Sequence, residues 1–265
     1  MGEYSKLKKE TEKIVKAAAQ FARNVDFIVS EKGGVANVVT TADLNVQRYL
    51  CKKLKELLPQ AGFYCEEDNL HDTESEYVWV VDPIDGTMNY TRGIPQCAIS
   101  VGLIRNNEPI VGVVHNPFQK DTFSAALGDG ATKNGKPIHV SSCTFERSLL
   151  FSAMSVYKKE LAPICNEIIA EAYAQCSDVR RFGTCALELC YIAEGKADLF
   201  FEMRVFPWDY AGAYLVLKEA GGVLKGFDGE TLAFDKATPL VGANNMENYE
   251  KLNRIVMRHM EKVPY

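Results

Sequence analysis

The amino-acid sequence predicts an α/β (α+β) fold, and three observations lead to this class. Apolar residues recur at helical spacing over the first sixty positions. β-rich runs separated by turn residues follow, up to about position 140. Beyond that point strand and helix patterns alternate, as in a layered α/β unit. We therefore expect helices and a mostly antiparallel sheet in the N-terminal half, and a smaller α/β layer in the C-terminal half.

Two helices are predicted first. Residues 6–27 and residues 42–58 each place their apolar side chains on one helical face. Thr41 is the expected N-cap of the second helix, and Pro59 is expected to end it. Residues 31–41 contain a pair of glycines, which predicts a loop between the two helices.

Strand patterns rich in β-branched and apolar residues come next. They cover residues 62–66, 77–82, 97–105, 109–115 and 123–140. The dipeptide Asn106-Asn107 predicts a tight hairpin between the third and the fourth of these runs. Glycine-containing turns interrupt the last run, so we expect more than one strand within it.

In the second half of the chain, strand patterns alternate with helical patterns. Strands are predicted at residues 149–153, 198–202 and 241–243, and helices at residues 161–175, 184–195, 209–220 and 247–262. A boundary near Ser141-Ser142 would divide the chain into parts 1–141 and 142–265. No linker separates the two parts, so we expect residues 1–265 to form one unit.

Composition narrows the range of partners. Of the 265 residues, 47% are hydrophobic and 25% are charged, as in ordinary globular proteins. The net charge of −5 offers no basic surplus, so we expect no nucleic-acid partner. No stretch is apolar enough for a membrane span, and the charged N-terminal segment does not resemble a signal peptide. Eight cysteines without CxxC pairs or zinc spacing favour reduced thiols in a cytoplasmic protein.

The segment most informative for chemistry is WVVDPIDGTMN, residues 79–89. An apolar strand delivers Asp82 at its end, and Asp85 follows within the turn. These two carboxylates and the carbonyl of Ile84 can converge on one point, as hard divalent cations require. The intervening glycine permits close backbone approach, and Thr87 adds a hydroxyl where a helix can begin.

Three other interpretations of this segment have to be considered. In the plainest, aspartate and glycine only shape a strand-ending turn, and this interpretation stays open on these residues alone. An EF-hand loop is excluded because Ile84 occupies a required oxygen-ligand position and Gly93 stands where the bidentate glutamate belongs. A haloacid-dehalogenase nucleophile is excluded because Pro83 occupies its position.

Four ordered motifs together resemble the inositol monophosphatase family. They are Thr40-Thr41-Ala42-Asp43, Glu66-Glu67, the DPIDGT segment, and Trp208-Asp209-Tyr210-Ala211-Gly212. The resemblance covers nearly the whole chain. It implies a five-layered αβαβα sandwich of the sugar phosphatase type, usually a homodimer, with lithium competing at a magnesium site. Residues 1–141 would then form the metal-binding part and residues 142–265 the substrate side.

The same resemblance implies a set of magnesium ligands. Glu66, Asp82 and the Ile84 carbonyl match the ligands of a first ion. Asp82, Asp85 and Asp209 match those of a second ion, with Asp82 bridging. A third, weaker ion near Glu66 is implied by some members of the family. Paired ions of this kind activate a water for direct attack on a phosphate monoester.

Further roles carry over from the family. Thr87 resembles the residue that hydrogen-bonds the attacking water, with Asp43 behind it, and Glu66 completes the expected catalytic group. Glu202 matches a position that contacts a substrate hydroxyl, which favours a polyol, although a solvated strand end stays open. The expected substrate-binding set is Lys32, Asp85, Gly86, Thr87, Gly183, Thr184, Glu202 and Asp209. For Lys32, the alternative that it is only a solvated charge on a loop is nearly as well supported as a role in substrate binding.

The expected reaction is therefore magnesium-dependent hydrolysis of a small phosphorylated substrate, first of all myo-inositol monophosphate. Fructose 1,6-bisphosphate, NADP and a nucleotide 3′,5′-bisphosphate are alternatives with the same chemistry. A third hypothesis is a binding protein or a regulator of transcription or RNA processing, as some bacterial relatives are. Three positions depart from the family pattern. Cys65 stands where the family usually has glycine, Met88 stands where it commonly has threonine or serine, and Arg204 stands where it often has glycine. Arg204 bears on substrate choice.

Overall fold

The computed structural model describes residues 2–23, 27–32, 38–68, 70–153, 159–229 and 232–260. Its helices are α1 (Ser5–Ala22), α2 (Thr41–Leu57), α3 (Thr87–Thr91), α4 (Ala162–Tyr173), α5 (Cys185–Ala193), α6 (Pro207–Glu219) and α7 (Met246–Met260). Its strands are β1 (Val29–Glu31), β2 (Val38–Thr40), β3 (Gly62–Cys65), β4 (Tyr77–Asp85), β5 (Ala98–Arg105), β6 (Glu108–Asn116), β7 (Asp121–Ala126), β8 (Ala131–Lys133), β9 (Lys136–Pro137), β10 (Leu149–Ala153), β11 (Asp178–Arg180), β12 (Leu199–Val205), β13 (Val223–Gly226) and β14 (Thr238–Ala243). Within these ranges no helix is long and apolar enough to cross a lipid bilayer.

Two sheets form the framework. The larger has the order β3-β4-β5-β6-β7-β8-β9 and is antiparallel except for the β3–β4 pair. The smaller has the order β11-β10-β12-β14-β13, with its first three strands parallel. The hairpin between β5 and β6 turns at Asn106 and Asn107, whose positive φ values of 48° and 66° suit asparagine.

The alternation of side chains along β4 explains the layering. Trp79 and Val81 face a core shared with α1 and α2, whereas Val78 and Val80 face a core shared with α5 and α6. A third core joins the smaller sheet to α4 and α7. The order helix, sheet, helix, sheet, helix confirms the predicted five-layered αβαβα sandwich.

Glycines let α6 lie close against the larger sheet. A Cβ added to Gly102 on β5 would lie 3.0 Å from the backbone carbon of Ala211. A Cβ added to Gly112 on β6 would lie only 2.2 Å from the carbonyl oxygen of Gly212. Any side chain at Gly112 would therefore push α6 away from the sheet, together with Asp209 in its first turn.

The start of α2 corrects one prediction. Thr40, not Thr41, is the N-cap: its hydroxyl accepts hydrogen bonds from the backbone of Ala42 and Asp43, and Asp43 bonds back to the Thr40 backbone. This reciprocal capping box satisfies more helix donors than a cap at Thr41 would.

Other boundaries also differ from the predicted ones. The first helix ends at Ala22 rather than 27, and residues 24–26 lie outside the described residues. The loop predicted at 31–41 is wrong in part, because β1 and β2 pair antiparallel on either side of residues 33–37, which are not described. The short strands β11 and β13 were missed, since three or four residues show no clear period. The subdivision at 141/142 stays a prediction.

Candidate active site

The end of β4 positions two aspartates. The pairing of β4 with β5 shifts its register between Asp82 and Asp85, so the strand bulges at the DPID segment. Gly86 then adopts a left-handed conformation with φ of 85°, and α3 begins directly at Thr87. This sharp change of direction leaves Asp82 and Asp85 in a buried turn, with exposures of 1% and 8%.

Four carboxylates lie close enough to perturb one another. Burial, and then the charges of Glu66, Asp85 and Asp209, raise the pKa of Asp82 well above its ordinary value. Burial, and then Asp85 and Glu66, do the same to the pKa of Asp209. Oδ1 of Asp82 is buried without a hydrogen-bond partner. The four side chains predicted as metal ligands are therefore brought together around a buried, unsatisfied carboxylate oxygen.

Hydrogen bonds fix two members of this carboxylate cluster. Oδ2 of Asp85 accepts from the Thr184 hydroxyl at 2.5 Å and from the Ala186 backbone N–H at 2.7 Å. Burial nevertheless raises the pKa of Asp85 to about 7. Oδ2 of Asp209 accepts from the Phe206 backbone N–H at 2.7 Å, at the start of α6. These bonds fix one carboxylate oxygen of each aspartate.

Lys32 is not a solvated loop charge. Its ammonium nitrogen lies 2.9 Å from Oε1 of Glu66 and also pairs with Glu67. Burial acts to lower the pKa of Lys32, but the two glutamates raise it above its ordinary value. In the part of the chain that the structure describes, no three acidic, histidine or cysteine side chains already stand in a metal-holding arrangement. A cation at Glu66 would have to compete with Lys32 for the carboxylate.

Thr87 and Asp43 are brought together from α3 and α2. The Thr87 hydroxyl lies 3.0 Å from the Ile84 carbonyl oxygen and 3.4 Å from Oδ1 of Asp43. Asp43 is completely buried, and burial raises its pKa to about 6. Oδ2 of the same carboxylate is engaged by the Thr40 N–H and hydroxyl. The capping box of α2 thus orients the oxygen that faces Thr87.

The second sheet contributes Glu202 to the same region. Glu202 lies on β12, the central strand of the smaller sheet, and is partly buried. Burial, and then the charge of Asp209, raise its pKa well above the ordinary value. Gly183 has a φ of 76° and precedes Thr184, the N-cap residue of α5. The predicted start of a helix at this point is confirmed.

Glu188, which the sequence patterns did not reveal, organises that turn. Glu188 is fully buried on α5, and its Oε1 accepts from the backbone N–H groups of Phe182 and Gly183, the latter at 3.1 Å. Burial raises its pKa to about 8. The one signal in the sequence is an acidic residue inside the otherwise apolar segment CALELCYIA.

Gln47 was missed as well. From α2, its side chain donates to the backbone carbonyl of Glu67 at 2.9 Å and accepts from the Glu67 N–H at 3.0 Å. This pair of bonds ties the segment after β3 to α2. The position of Glu66 is therefore coupled to the helix that carries Asp43.

The donor set fits hard divalent cations. Glu66, Asp82, Asp85 and Asp209 offer only oxygen ligands, and Oδ1 of Asp82 has no protein partner. Burial and the neighbouring charges raise the pKa values of Asp82 and Asp209, and a bound cation would offset both effects.

The five-layered αβαβα fold is the one that the four sequence motifs led us to expect of a phosphatase. A family model described as "Inositol monophosphatase family" matches residues 3–261. The chain therefore belongs to the inositol monophosphatase family, and the resemblance drawn from its four motifs is confirmed.

Similar proteins agree with this assignment. The chain is 32% identical to "Nus factor SuhB" of Salmonella typhimurium over 81% of its length and 82% of that protein. It is 31% identical to "Inositol-1-monophosphatase" of Synechocystis sp., over 85% of the chain and 79% of that protein. The crystal structure of the suppressor protein suhB from Bartonella henselae superposes with a TM-score of 0.87 at 29% identity, covering 95% of this chain and 98% of the other.

Proposed function

We propose that this phosphatase hydrolyses a small phosphate monoester with the help of magnesium, and that myo-inositol monophosphate is its first candidate substrate. The observation that supports this most directly is the unpartnered Oδ1 of Asp82, which lies among three further carboxylates. Fructose 1,6-bisphosphate, NADP and a nucleotide 3′,5′-bisphosphate remain the alternatives within the same chemistry.

The residues assigned to hold magnesium are Glu66, Asp82, Asp85 and Asp209, with the Ile84 carbonyl. Two ions are expected, and a third would lie near Glu66. When bound, magnesium would neutralise phosphate charge and lower the pKa of a water. The protein itself orients the carboxylates through hydrogen bonds. Donors of Thr184 and Ala186 hold Asp85 in place, and the backbone N–H of Phe206 holds Asp209 in place.

Thr87 and Asp43 are assigned to proton transfer. The Thr87 hydroxyl would accept a hydrogen bond from the attacking water while donating its own proton toward Oδ1 of Asp43. With a pKa of about 6, the Asp43 carboxyl is mostly ionised at neutral pH and can take up that proton. Glu66 is the third residue assigned to this catalytic group, on the side of the site that Lys32 reaches.

Substrate contacts are assigned to the turns around the cluster. The backbone N–H groups of Gly86 and Thr87 would bind phosphate oxygens. Glu202 would bind a hydroxyl of the polyol, because its raised pKa lets it donate as well as accept. The Gly183-Thr184 turn would border the leaving group. Lys32, Asp85 and Asp209 complete the substrate-binding set.

A substrate panel tests the proposal. Phosphate release is measured with magnesium for inositol monophosphate and for each alternative substrate, using the wild type, Asp85→Asn and the exposed control Asp72→Asn. We expect inositol monophosphate to be preferred, Asp85→Asn to lose more than about 100-fold in activity, and Asp72→Asn to match the wild type. Unchanged turnover by Asp85→Asn would remove the basis for the metal site.

A second candidate function comes from the name of the relative in Salmonella. That relative, at 32% identity, is called a Nus factor, so a regulatory role beside catalysis is a reasonable hypothesis. The Asp85→Asn variant distinguishes the catalytic function from the regulatory one. A regulatory role that does not need catalysis would be retained in this variant. The cytoplasmic location, the homodimer and lithium inhibition also stay predictions, to be checked by fractionation, sedimentation and inhibition assays.

A further inference from the structure

Two cysteines approach each other beside the candidate site. Cys51 lies on α2, and Cys65 is the last residue of β3. Their Sγ atoms are 3.7 Å apart, and both thiols are reduced. Cys51 is partly exposed, whereas Cys65 is fully buried. The contact joins two elements through cysteines that lie fourteen positions apart in the chain.

Both elements carry residues of the proposed machinery. Cys65 directly precedes Glu66, and it stands where the family pattern usually has glycine. The helix that holds Cys51 also carries Asp43, and its Gln47 fixes the backbone of Glu67. A change in the separation of the two sulfurs would therefore act directly on the segment that positions Glu66.

We propose that Cys51 and Cys65 are a redox modification site that forms a reversible disulfide on exposure to a peroxide. The Cys51 thiolate attacks one peroxide oxygen; an S–O bond forms, the O–O bond breaks, and hydroxide leaves to become water on protonation. The Cys65 sulfur then loses its proton and attacks the Cys51 sulfur, which releases the second oxygen as water. Two thiols are oxidised and one hydrogen peroxide is reduced to two waters.

Exposure decides which thiol reacts first. An oxidant can reach the partly exposed Cys51, while Cys65 is enclosed and acts as the resolving thiol. Cys65 already lies in contact, so the sulfenic acid of Cys51 is captured without a large rearrangement.

Closing the disulfide requires movement next to Glu66. An S–S bond is about 2.05 Å long, so the two sulfurs must approach by about 1.6 Å. Displacements of about 1 Å in a catalytic site can cost about 100-fold in rate. If Glu66 has the role proposed above, oxidation lowers phosphatase activity by at least about tenfold. This second part rests on the proposed function, whereas formation of the disulfide does not.

The test treats the full-length protein with increasing hydrogen peroxide. Non-reducing peptide mapping detects a Cys51–Cys65 linked peptide, and phosphate release is measured on the same samples before and after dithiothreitol. We expect the linked peptide to appear as activity falls, and dithiothreitol to reverse both changes. Cys51→Ser should form no link and keep its activity under peroxide. Cys143→Ser, which removes a partly exposed cysteine elsewhere in the fold, should behave as the wild type.

The possible outcomes separate the two parts of the inference. Absence of the linked peptide at peroxide doses that oxidise Cys143 would overturn the modification site. A linked peptide with unchanged activity would overturn the effect on Glu66. If the reduced wild type releases no phosphate, the proposed function fails, and the linked peptide still decides the modification site. Cys65→Ala serves as a second variant if Cys51→Ser does not fold.

Discussion

Replacing Asp43 by asparagine should separate the stability of the fold from its chemistry. Asp43 is fully buried; its Oδ2 accepts from the Thr40 N–H at 2.8 Å and from the Thr40 hydroxyl, and its Oδ1 faces the Thr87 hydroxyl at 3.4 Å. Asparagine has the same shape. Its carbonyl can accept both Thr40 bonds, and its amide can donate to the Thr87 oxygen. All neighbours then stay satisfied, but the side chain can no longer take up a proton.

The magnitude follows from the pKa of Asp43. Burial raises it from 3.8 to about 6, which corresponds to a folding cost on the order of 3 kcal/mol for the ionised form. Because the folded-state pKa is raised, the stabilising contribution of this group is full below pH 3.8 and is lost as the pH rises through about 6. At about pH 7.5 the Asp43→Asn variant should therefore be more stable than the wild type by up to about 3 kcal/mol. The difference should vanish near about pH 4.

Activity should change in the opposite direction. Loss of the proton acceptor behind Thr87 should lower turnover by about 10²- to 10⁴-fold. Urea unfolding at several pH values, without added metal, measures the stability, and phosphate release measures the activity. Thr40→Ser is the control, since it keeps the hydroxyl cap and should leave turnover unchanged. Destabilisation of Asp43→Asn by more than about 1 kcal/mol at neutral pH would refute the reasoning, and so would unchanged turnover.

Three further predictions address other parts of the molecule. Burial lowers the pKa of His115 to about 4, so its contribution to the free energy of unfolding is full above pH 6.5 and is lost as the pH falls through about 4. Replacing His115 by glutamine (His115→Gln) should remove on the order of 3 kcal/mol of this acid dependence, as measured by urea unfolding. Thr184→Val removes the hydroxyl that holds Asp85 and should lower turnover by about tenfold or more, whereas Thr184→Ser keeps the hydroxyl and should keep the turnover. Equal turnover by the two variants would contradict the role of Thr184 in holding Asp85. Gly112→Ala places a Cβ 2.2 Å from the Gly212 carbonyl oxygen and should lower the free energy of unfolding by about 1–3 kcal/mol, again measured with urea.

Local patterns predicted much of the fold. The strand that carries WVVDPID, the Asn106-Asn107 hairpin and the helix after Gly183 depend on neighbouring residues, and each was predicted close to its observed place. One error lay within a local motif. Thr40 rather than Thr41 caps α2, because Asp43 completes a reciprocal box with Thr40.

The composition of the candidate site was predicted less evenly. The four acidic residues could be proposed because each lies in a motif with recognisable order, and the charges of the other three act on the pKa of Asp82. Glu188 and Gln47 were not found. Their function is to hold backbone groups of other segments, and no pattern around either residue reveals a partner that is distant in sequence.

Short motifs and residue types were enough to predict the class of fold and the family, and to propose which residues hold a hard cation. Three contacts could be seen only in the folded chain: Lys32 pairs with Glu66, Thr184 holds Asp85, and two thiols lie 3.7 Å apart. These contacts join residues from 14 to 99 positions apart in the chain. Their distances are set by how sheets and helices pack, which the local sequence does not encode.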